Sequence, residues 1–350
     1  MTLRPARLEP IFSPRPWGAR SLAPYFPDKT NLAEPLGEAW MTGSECTFAD
    51  GPFAGKKLGE VWPTLPVSWT GTRVDHAHAF PLLVKFIFAE EKLSVQVHPD
   101  DAYAQKHEAA AGGRGKTEMW YAVSARPGAE VLTGLKAGIT RESFVKMIAD
   151  GTAEDALLHV PMSAGDAIFI PAGTMHTIGA GLVLCEIQQL SDITYRVYDY
   201  NRRDANGKSR ELHIEKALDV TKFGAAFDGK ITPVRIESPN VTTTYFAACS
   251  YFAAEKWEFS RPLSSMTSPE HFELIVILDG AGSISVGADA LPYERAHVWL
   301  LPAALGAYEM KPTSPTSVLR TYVPDSVDGF TDQLKAAGIS SADISRLVHA

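Results

Sequence analysis

The stretch G-D-A-I-F-I-P-A-G-T-M-H at residues 165–176 carries three local signals in a row. A-I-F-I is a short apolar run of strand-favouring residues. P-A-G is a turn, because proline presets one backbone angle and glycine tolerates the left-handed one. A histidine follows three residues after the glycine. Upstream, L-S-V-Q-V-H-P-D-D at 93–101 alternates polar and apolar residues. On a strand, Ser94, Gln96 and His98 share one face, and Leu93, Val95 and Val97 the other. A polar row in an apolar setting is costly unless something satisfies it. Between the two stretches, G-K-T-E-M-W-Y at 115–121 puts Lys116, Glu118 and Trp120 on one strand face. His98, Glu118 and His176, with Gln96 as a weak neutral fourth, make a donor set suited to Zn²⁺ or a similar divalent ion with one position open.

Composition narrows the classes of partner. The 350 residues are 45% hydrophobic, enough for one large domain or two moderate ones. A net charge of −8 gives no global basic field for nucleic acid or an anionic membrane. A phosphorylated ligand would need local cations instead. Cys46, Cys185 and Cys249 form no C-x-x-C pair, which favours reduced thiols and a cytoplasmic setting. The first ten residues lack the apolar run of a signal peptide, and no segment reaches the roughly 20 apolar residues of a membrane span.

The spacing at 165–176 is similar to the second motif of the cupin superfamily. Q-V-H-P-D-D at 96–101, G-K-T-E-M-W-Y at 115–121 and S-D-I-T-Y-R at 191–196 resemble type I phosphomannose isomerase (mannose-6-phosphate isomerase). The resemblance runs from R-P-W-G at 15–18 into the second half of the chain and is nearest the short bacterial form without a large helical domain. It implies a mainly β fold of tandem cupin-like β-barrels (jelly rolls) with a small α-helical insertion. The implied activity is metal-dependent aldose–ketose isomerisation between mannose 6-phosphate and fructose 6-phosphate through an enediolate, with one Zn²⁺ per chain. Gln96, His98, Glu118 and His176 match the family's metal ligands. Arg196 matches its active-site arginine, and Asp192 its acidic residue four positions earlier.

Other candidates follow from the residues and the resemblance together. Lys116 shares a face with Glu118 and could move protons or bind substrate oxygens. Lys85 is a charge inside the apolar run P-L-L-V-K-F-I-F at 81–88, so it should reach a polar cavity. Ser94 is a candidate phosphate contact, and so is Arg202, where some family members carry lysine. Trp17 is either a wall of the site or plain packing. Glu186 either braces the site or is structural. D-H-A-H at 75–78 has a His-x-His spacing but no attached partner set, and reads as a surface loop. Where long-form members carry a tyrosine two residues after the last metal histidine, this chain has Ile178, a departure at the pocket wall. The general base stays open among Lys116, Asp192, Glu186, His98 and a water at the metal.

Along the chain, an N-terminal metal-binding domain is expected over 1–230 and a degenerate copy over 231–350. T-R-E-S-F-V-K-M-I-A-D-G opens a helical insertion at 140–158, capped by Thr140, with a second short helix over 153–158 and a place at the barrel rim. H-V-W-L-L-P-A-A at 297–304 echoes A-I-F-I-P-A-G, but A-A-L-G-A-Y stands where the first copy has His176. His271 and Glu273 alternate without a downstream histidine, so no second metal site is expected. A terminal helical segment with a break at Gly338 covers 330–348. Two competing functions are a metal-dependent cupin oxygenase and a non-enzymatic sugar-binding cupin. The cations Lys85, Lys116 and Arg196 argue against the first, and an open metal position against the second. The partner expected is a small sugar phosphate, the chain being a monomer or a homodimer.

Overall fold

The computed structural model describes residues 3–74, 79–203, 207–224 and 226–349. The D-H-A-H stretch at 75–78 lies outside the described residues. Four antiparallel sheets lie in two facing pairs. The first pair comprises a six-stranded sheet, in the order Ala167–Ile170, Glu118–Ala125, Leu182–Gln189, Leu82–Ala89, Leu36–Trp40 and Ile11–Ala19, and a five-stranded sheet. The five-stranded order is Tyr195–Tyr198, Val95–Val97, His176–Ile178, Glu130–Leu135 and Leu157–Pro161. Eight-stranded and four-stranded sheets form the second pair, all but two of their strands coming from the C-terminal half. The chain is therefore mainly β, as tandem cupin-type barrels require.

Strand Leu82–Ala89 shows why the layers stack this way. All eight of its residues are buried, so both faces must find cover. Leu82, Val84, Phe86 and Phe88 join a core that also holds Phe246, Phe272, Leu274 and Leu319 of the C-terminal half. Ile87 and Ala89, on the other face, point into the first barrel with Trp120, Ile170 and Leu184. Lys85 shares that inward face. The two large sheets thus pack back to back, and each barrel keeps a separate interior.

The beginning of the chain ties the halves together. Ala6–Glu9 pairs with Val298–Leu301, and Thr47–Phe48 pairs with Ala6–Glu9, so both strands extend the second barrel's eight-stranded sheet. Helix Arg141–Ala149 starts at a Thr140–Ser143 capping box. Its Phe144 packs with Leu132, Leu135, Leu157 and Leu218 on the outer face of the five-stranded sheet, not at the rim. The helix expected over 153–158 is one 3-10 turn, Ala153–Ala156, and Leu157 and Leu158 open strand Leu157–Pro161. Leu157 faces Leu135 and Val160 faces Val131, so strand pairing overrides the short helical pattern. The chain ends in helices Val327–Ala336 and Ser341–Leu347, separated near Gly338, which sits at φ +81°. No helix among the described residues is long and apolar enough to cross a membrane.

Candidate metal centre and substrate cavity

Two sheets face each other across the first barrel and each presents polar groups inward. The five-stranded sheet supplies three residues in a row. Gln96 is the cross-strand partner of His176 on one side and of Arg196 on the other. His98 follows the same strand. The P-A-G turn sets His176: Gly173 adopts φ +85° and donates its N–H to the His98 carbonyl at 2.9 Å. A Cβ there would meet the Val220 carbonyl oxygen at 2.7 Å, so glycine is required on two counts. The six-stranded sheet supplies Glu118, opposite Ile170, and Glu186, opposite both Trp120 and Lys85. Lys116 precedes its strand and is held by its N–H bond to the Pro99 carbonyl, beside His98.

Three of the four expected ligands, His98, Glu118 and His176, form a group that could hold a metal ion. One donor atom each from His98, Glu118 and His176 lies within 4.8 Å of the others, and all three residues are buried. His98 Nε2 is 3.7 Å from Glu118 Oε2, and His176 Nε2 is 3.5 Å from Glu118 Oε1. Gln96 Nε2 stands 3.4 Å from His176 Nε2. Each imidazole is oriented by its other nitrogen: His98 Nδ1 bonds the Ile193 carbonyl at 2.8 Å, and His176 Nδ1 that of Thr174 at 2.9 Å. With Nδ1 so used, Nε2 keeps its lone pair for a metal. Buried His98 Nε2 and Glu118 Oε1 have no hydrogen-bond partner among the described residues, which is costly without a cation.

The electrostatics point the same way. Burial, reinforced by the Lys116 charge, holds His98 well below the usual histidine range, and burial pushes His176 down to about 4. Both imidazoles are thus neutral, the form that ligates metals. Burial and the neighbouring Glu186 push the Glu118 carboxyl up to about 7 against the pull of Lys116. A dication would relieve that strain on the carboxylate.

A cavity of about 480 Å³ opens beside this centre. It is lined by Trp17, Lys85, Ser94, Gln96, Lys116, Glu186, Asp192 and Arg196 among others. Arg196 donates from Nε to Ser94 Oγ at 3.0 Å and from Nη1 to the Glu211 carbonyl at 3.1 Å. Asp192 is exposed at the wall. Trp17 is buried with Trp120, Leu93 and Ile178, so it both packs and walls the space. Arg202 does not line the cavity. It is spent on the Lys92 carbonyl at 2.7 Å, on Asp199 Oδ1 at 2.9 Å and on the Tyr200 ring.

The structure adds residues that the motifs do not reveal. Lys85 Nζ bonds Glu186 Oε1 at 3.0 Å and lies 3.6 Å from Glu38 Oε1, whose other oxygen meets Arg15 Nη2 at 2.7 Å. Trp120 Nε1 donates to Glu186 Oε2 at 2.9 Å, and Lys116 Nζ is 2.9 Å from Glu118 and 3.9 Å from Glu186. A file of alternating charge therefore runs from Arg15 at the surface to Glu118. Burial opposes the charge on Lys85, but Glu186 and Glu38 outweigh it and hold its pKa above the ordinary lysine value. Burial likewise opposes Glu38, yet Lys85 and Arg15 bring its carboxyl down to about 2. Arg210 and His213 also line the cavity. Glu38 had one sequence signal, a carboxylate in the strand-like L-G-E-A-W, and Arg15 had its place in R-P-W-G; Arg210 and His213 had none.

A double barrel with an inward His–Glu–His centre in its first half defines a metal-binding bicupin. Its relatives place it further. Residues 6–125 match the family model described as phosphomannose isomerase type I, catalytic domain. Mannose-6-phosphate isomerase ManA of Bacillus subtilis is 35% identical over 315 residues, covering 89% of this chain and 97% of that protein. The mannose-6-phosphate isomerase of Streptococcus mutans is 36% identical over 282 residues, covering 79% and 86%. The crystal structure of the Bacillus subtilis mannose 6-phosphate isomerase superposes with a TM-score of 0.83 at 31% identity, covering 91% of this chain and 99% of that one. The apo enzyme of Salmonella typhimurium shares the fold, with a TM-score of 0.73 at 15% identity. The chain belongs to the type I phosphomannose isomerase family, a family of metal-dependent isomerases.

Proposed function

We propose that this chain interconverts D-mannose 6-phosphate and D-fructose 6-phosphate in the first-barrel cavity, using a zinc ion held by His98, Glu118, His176 and Gln96. The observation that carries the reading is a buried two-histidine, one-carboxylate centre beside a cavity lined by Lys85, Lys116 and Arg196 in a net-acidic chain. Metal centres for oxygen chemistry on apolar substrates have no need of such a cluster of cations, whereas a sugar phosphate does.

When bound, the metal supplies Lewis acidity to charge developing on a sugar oxygen. The chain's own residues do the rest. Arg196, whose guanidinium has no carboxylate partner among the described residues, binds oxyanionic groups of the substrate and is fixed by Ser94 and the Glu211 carbonyl. Lys116 Nζ sits at the inner end of the cavity, between Glu118 and Glu186, where it can carry a proton between carbon 1 and carbon 2 or hold a sugar hydroxyl. Asp192 lines the same space and can assist ring opening. Lys85 is locked between Glu186 and Glu38, so it acts as a fixed charge that keeps Glu186 ionised. Trp17 walls the cavity against water. Three buried free thiols fit a reducing cytoplasmic setting.

The test is a coupled assay for fructose 6-phosphate together with metal analysis. About one zinc per chain and chelator-sensitive turnover of mannose 6-phosphate are expected; full activity after exhaustive chelation would reject the proposal.

A further inference from the structure

The outer end of the cavity holds a charge arrangement that the metal chemistry does not use. Arg196 and Arg210 line it and Arg202 lies outside it, and among the described residues only Asp199 forms an ion pair with any of the three. Asp199 is itself buried, at 6% exposure. It grips Arg210 through two parallel bonds, Nε to Oδ2 at 2.7 Å and Nη2 to Oδ1 at 2.5 Å. The same Oδ1 meets Arg202 Nη2 at 2.9 Å.

The two arginines on Asp199 differ in what they have left to offer. Arg202 directs its remaining donors at backbone carbonyls, Nη1 to Lys92 and Nε to Asp199 itself, and lies over the Tyr200 ring. Arg210 uses two of its five N–H donors on Asp199 and lines the cavity. Arg196 lines the same cavity and forms no ion pair among the described residues. After burial, the Arg210 charge is the largest influence lowering the Arg196 pKa, as expected of like charges facing one space. Arg196, with no ion-pair partner among the described residues, and Arg210, with N–H donors left over from Asp199, together suit a phosphomonoester, which carries about −1.5 to −2 at pH 7 and three acceptor oxygens.

We propose that Arg210, held in position by the buried Asp199, pairs with Arg196 to clamp the substrate's phosphate, and that this pair, not Arg202, selects phosphorylated sugars. This rests on the isomerase reading above. Arg210 is a binding residue and Asp199 a positioning residue acting through it.

The test compares Arg210→Ala, Arg210→Lys, Asp199→Asn and Arg202→Ala in the metal-loaded protein. KM and kcat for mannose 6-phosphate are measured, with the competitive inhibition constant of inorganic phosphate. Arg210→Ala should raise KM and the phosphate inhibition constant together by about tenfold or more, the scale of a lost charge-assisted hydrogen bond, while kcat falls less than about threefold. Arg210→Lys should recover part of the loss, and Asp199→Asn should raise both constants less than Arg210→Ala. Arg202→Ala should move both least. Unchanged constants in Arg210→Ala, or a larger effect from Arg202→Ala, would overturn the assignment. Calorimetric titration of inorganic phosphate into parent and Arg210→Ala protein separates this inference from the isomerase reading. A parent that fails to isomerise the sugar sinks that reading. Equal phosphate affinity in the two proteins sinks the clamp.

Discussion

The two barrels place charges at matching positions of the same scaffold and use them in opposite ways. Glu118 pairs with Ile170, just before Pro171; Glu273 pairs with Leu301, just before Pro302. Two residues along, Trp120 faces Glu186, which faces Lys85; in the second barrel Ile275 faces Arg320, which faces Glu255. The first barrel thus reads Glu–Glu–Lys where the second reads Glu–Arg–Glu. The His176–Gln96 pair becomes Ala307–Met266. In the second barrel a guanidinium stands at the strand position that Glu186 takes in the first. Arg320 binds both oxygens of Glu273, at 2.7 and 3.0 Å, and Glu255 at 2.7 Å. Burial opposes its charge, yet the two carboxylates hold its pKa well above the ordinary arginine value. His271 instead stacks on Tyr322 and meets Asp325. Fold and chemistry separate here: the second barrel closes its two carboxylates on one arginine, whereas the first leaves His98 Nε2 and Glu118 Oε1 without a hydrogen-bond partner among the described residues.

The largest way to break this contrast is to remove the first barrel's ligands. His176→Ala or His98→Ala should eliminate stoichiometric metal, read by elemental analysis. Turnover should fall by more than about three orders of magnitude, because several kcal/mol of charge stabilisation is lost. The counterpart in the second barrel is Arg320→Ala. It leaves Glu255 and Glu273 buried without a cation and should cost about 3–5 kcal/mol of stability in denaturant titration. The folded fraction should keep its metal and its activity, since Arg320 lies in the other interior. Loss of metal on Arg320→Ala would show that the barrels are coupled through their shared core.

A smaller effect sharpens the assignment of Arg196. Arg196→Ala should leave metal content intact and lower turnover by roughly two orders of magnitude. Arg196→Lys should recover only part, because an ammonium cannot reproduce the planar fork. Near-parental turnover in Arg196→Ala at saturating substrate would remove the residue from the reacting atoms, and an unchanged KM as well would make it structural.

The smallest effect concerns the charge file behind Lys85. The Glu38 carboxyl is held at about 2, below its ordinary 4.5, so its contribution is complete above about 4.5 and is lost as pH falls toward 2. Glu38→Gln should lower stability near pH 7 by about 1 kcal/mol, since glutamine still accepts the Trp40 Nε1 bond. The variant should then lose less than the parent on acidification through that window. Parallel acid-unfolding curves for the two proteins would contradict the charge-file account.

The sequence by itself determined the local pieces: the strand–turn–histidine of 165–176, the alternating row of Ser94 and Gln96 leading to His98, the Glu118 strand and the missing histidine of the second copy. Each is confined to a few neighbouring residues, so side-chain alternation and turn chemistry suffice to read it. The terminal helices and the Thr140 cap were legible for the same reason. Tertiary structure decided what depends on pairing between distant strands. It set Glu38 and Glu186 on either side of Lys85 and carried the first strand across to the second barrel. It also made Leu157–Pro161 a strand, and brought Arg210, not Arg202, to the cavity. In the second barrel it placed Arg320, 47 residues from Glu273, against that carboxylate. No local pattern encodes these contacts, because register between sheets is set by how two buried faces close over a common core.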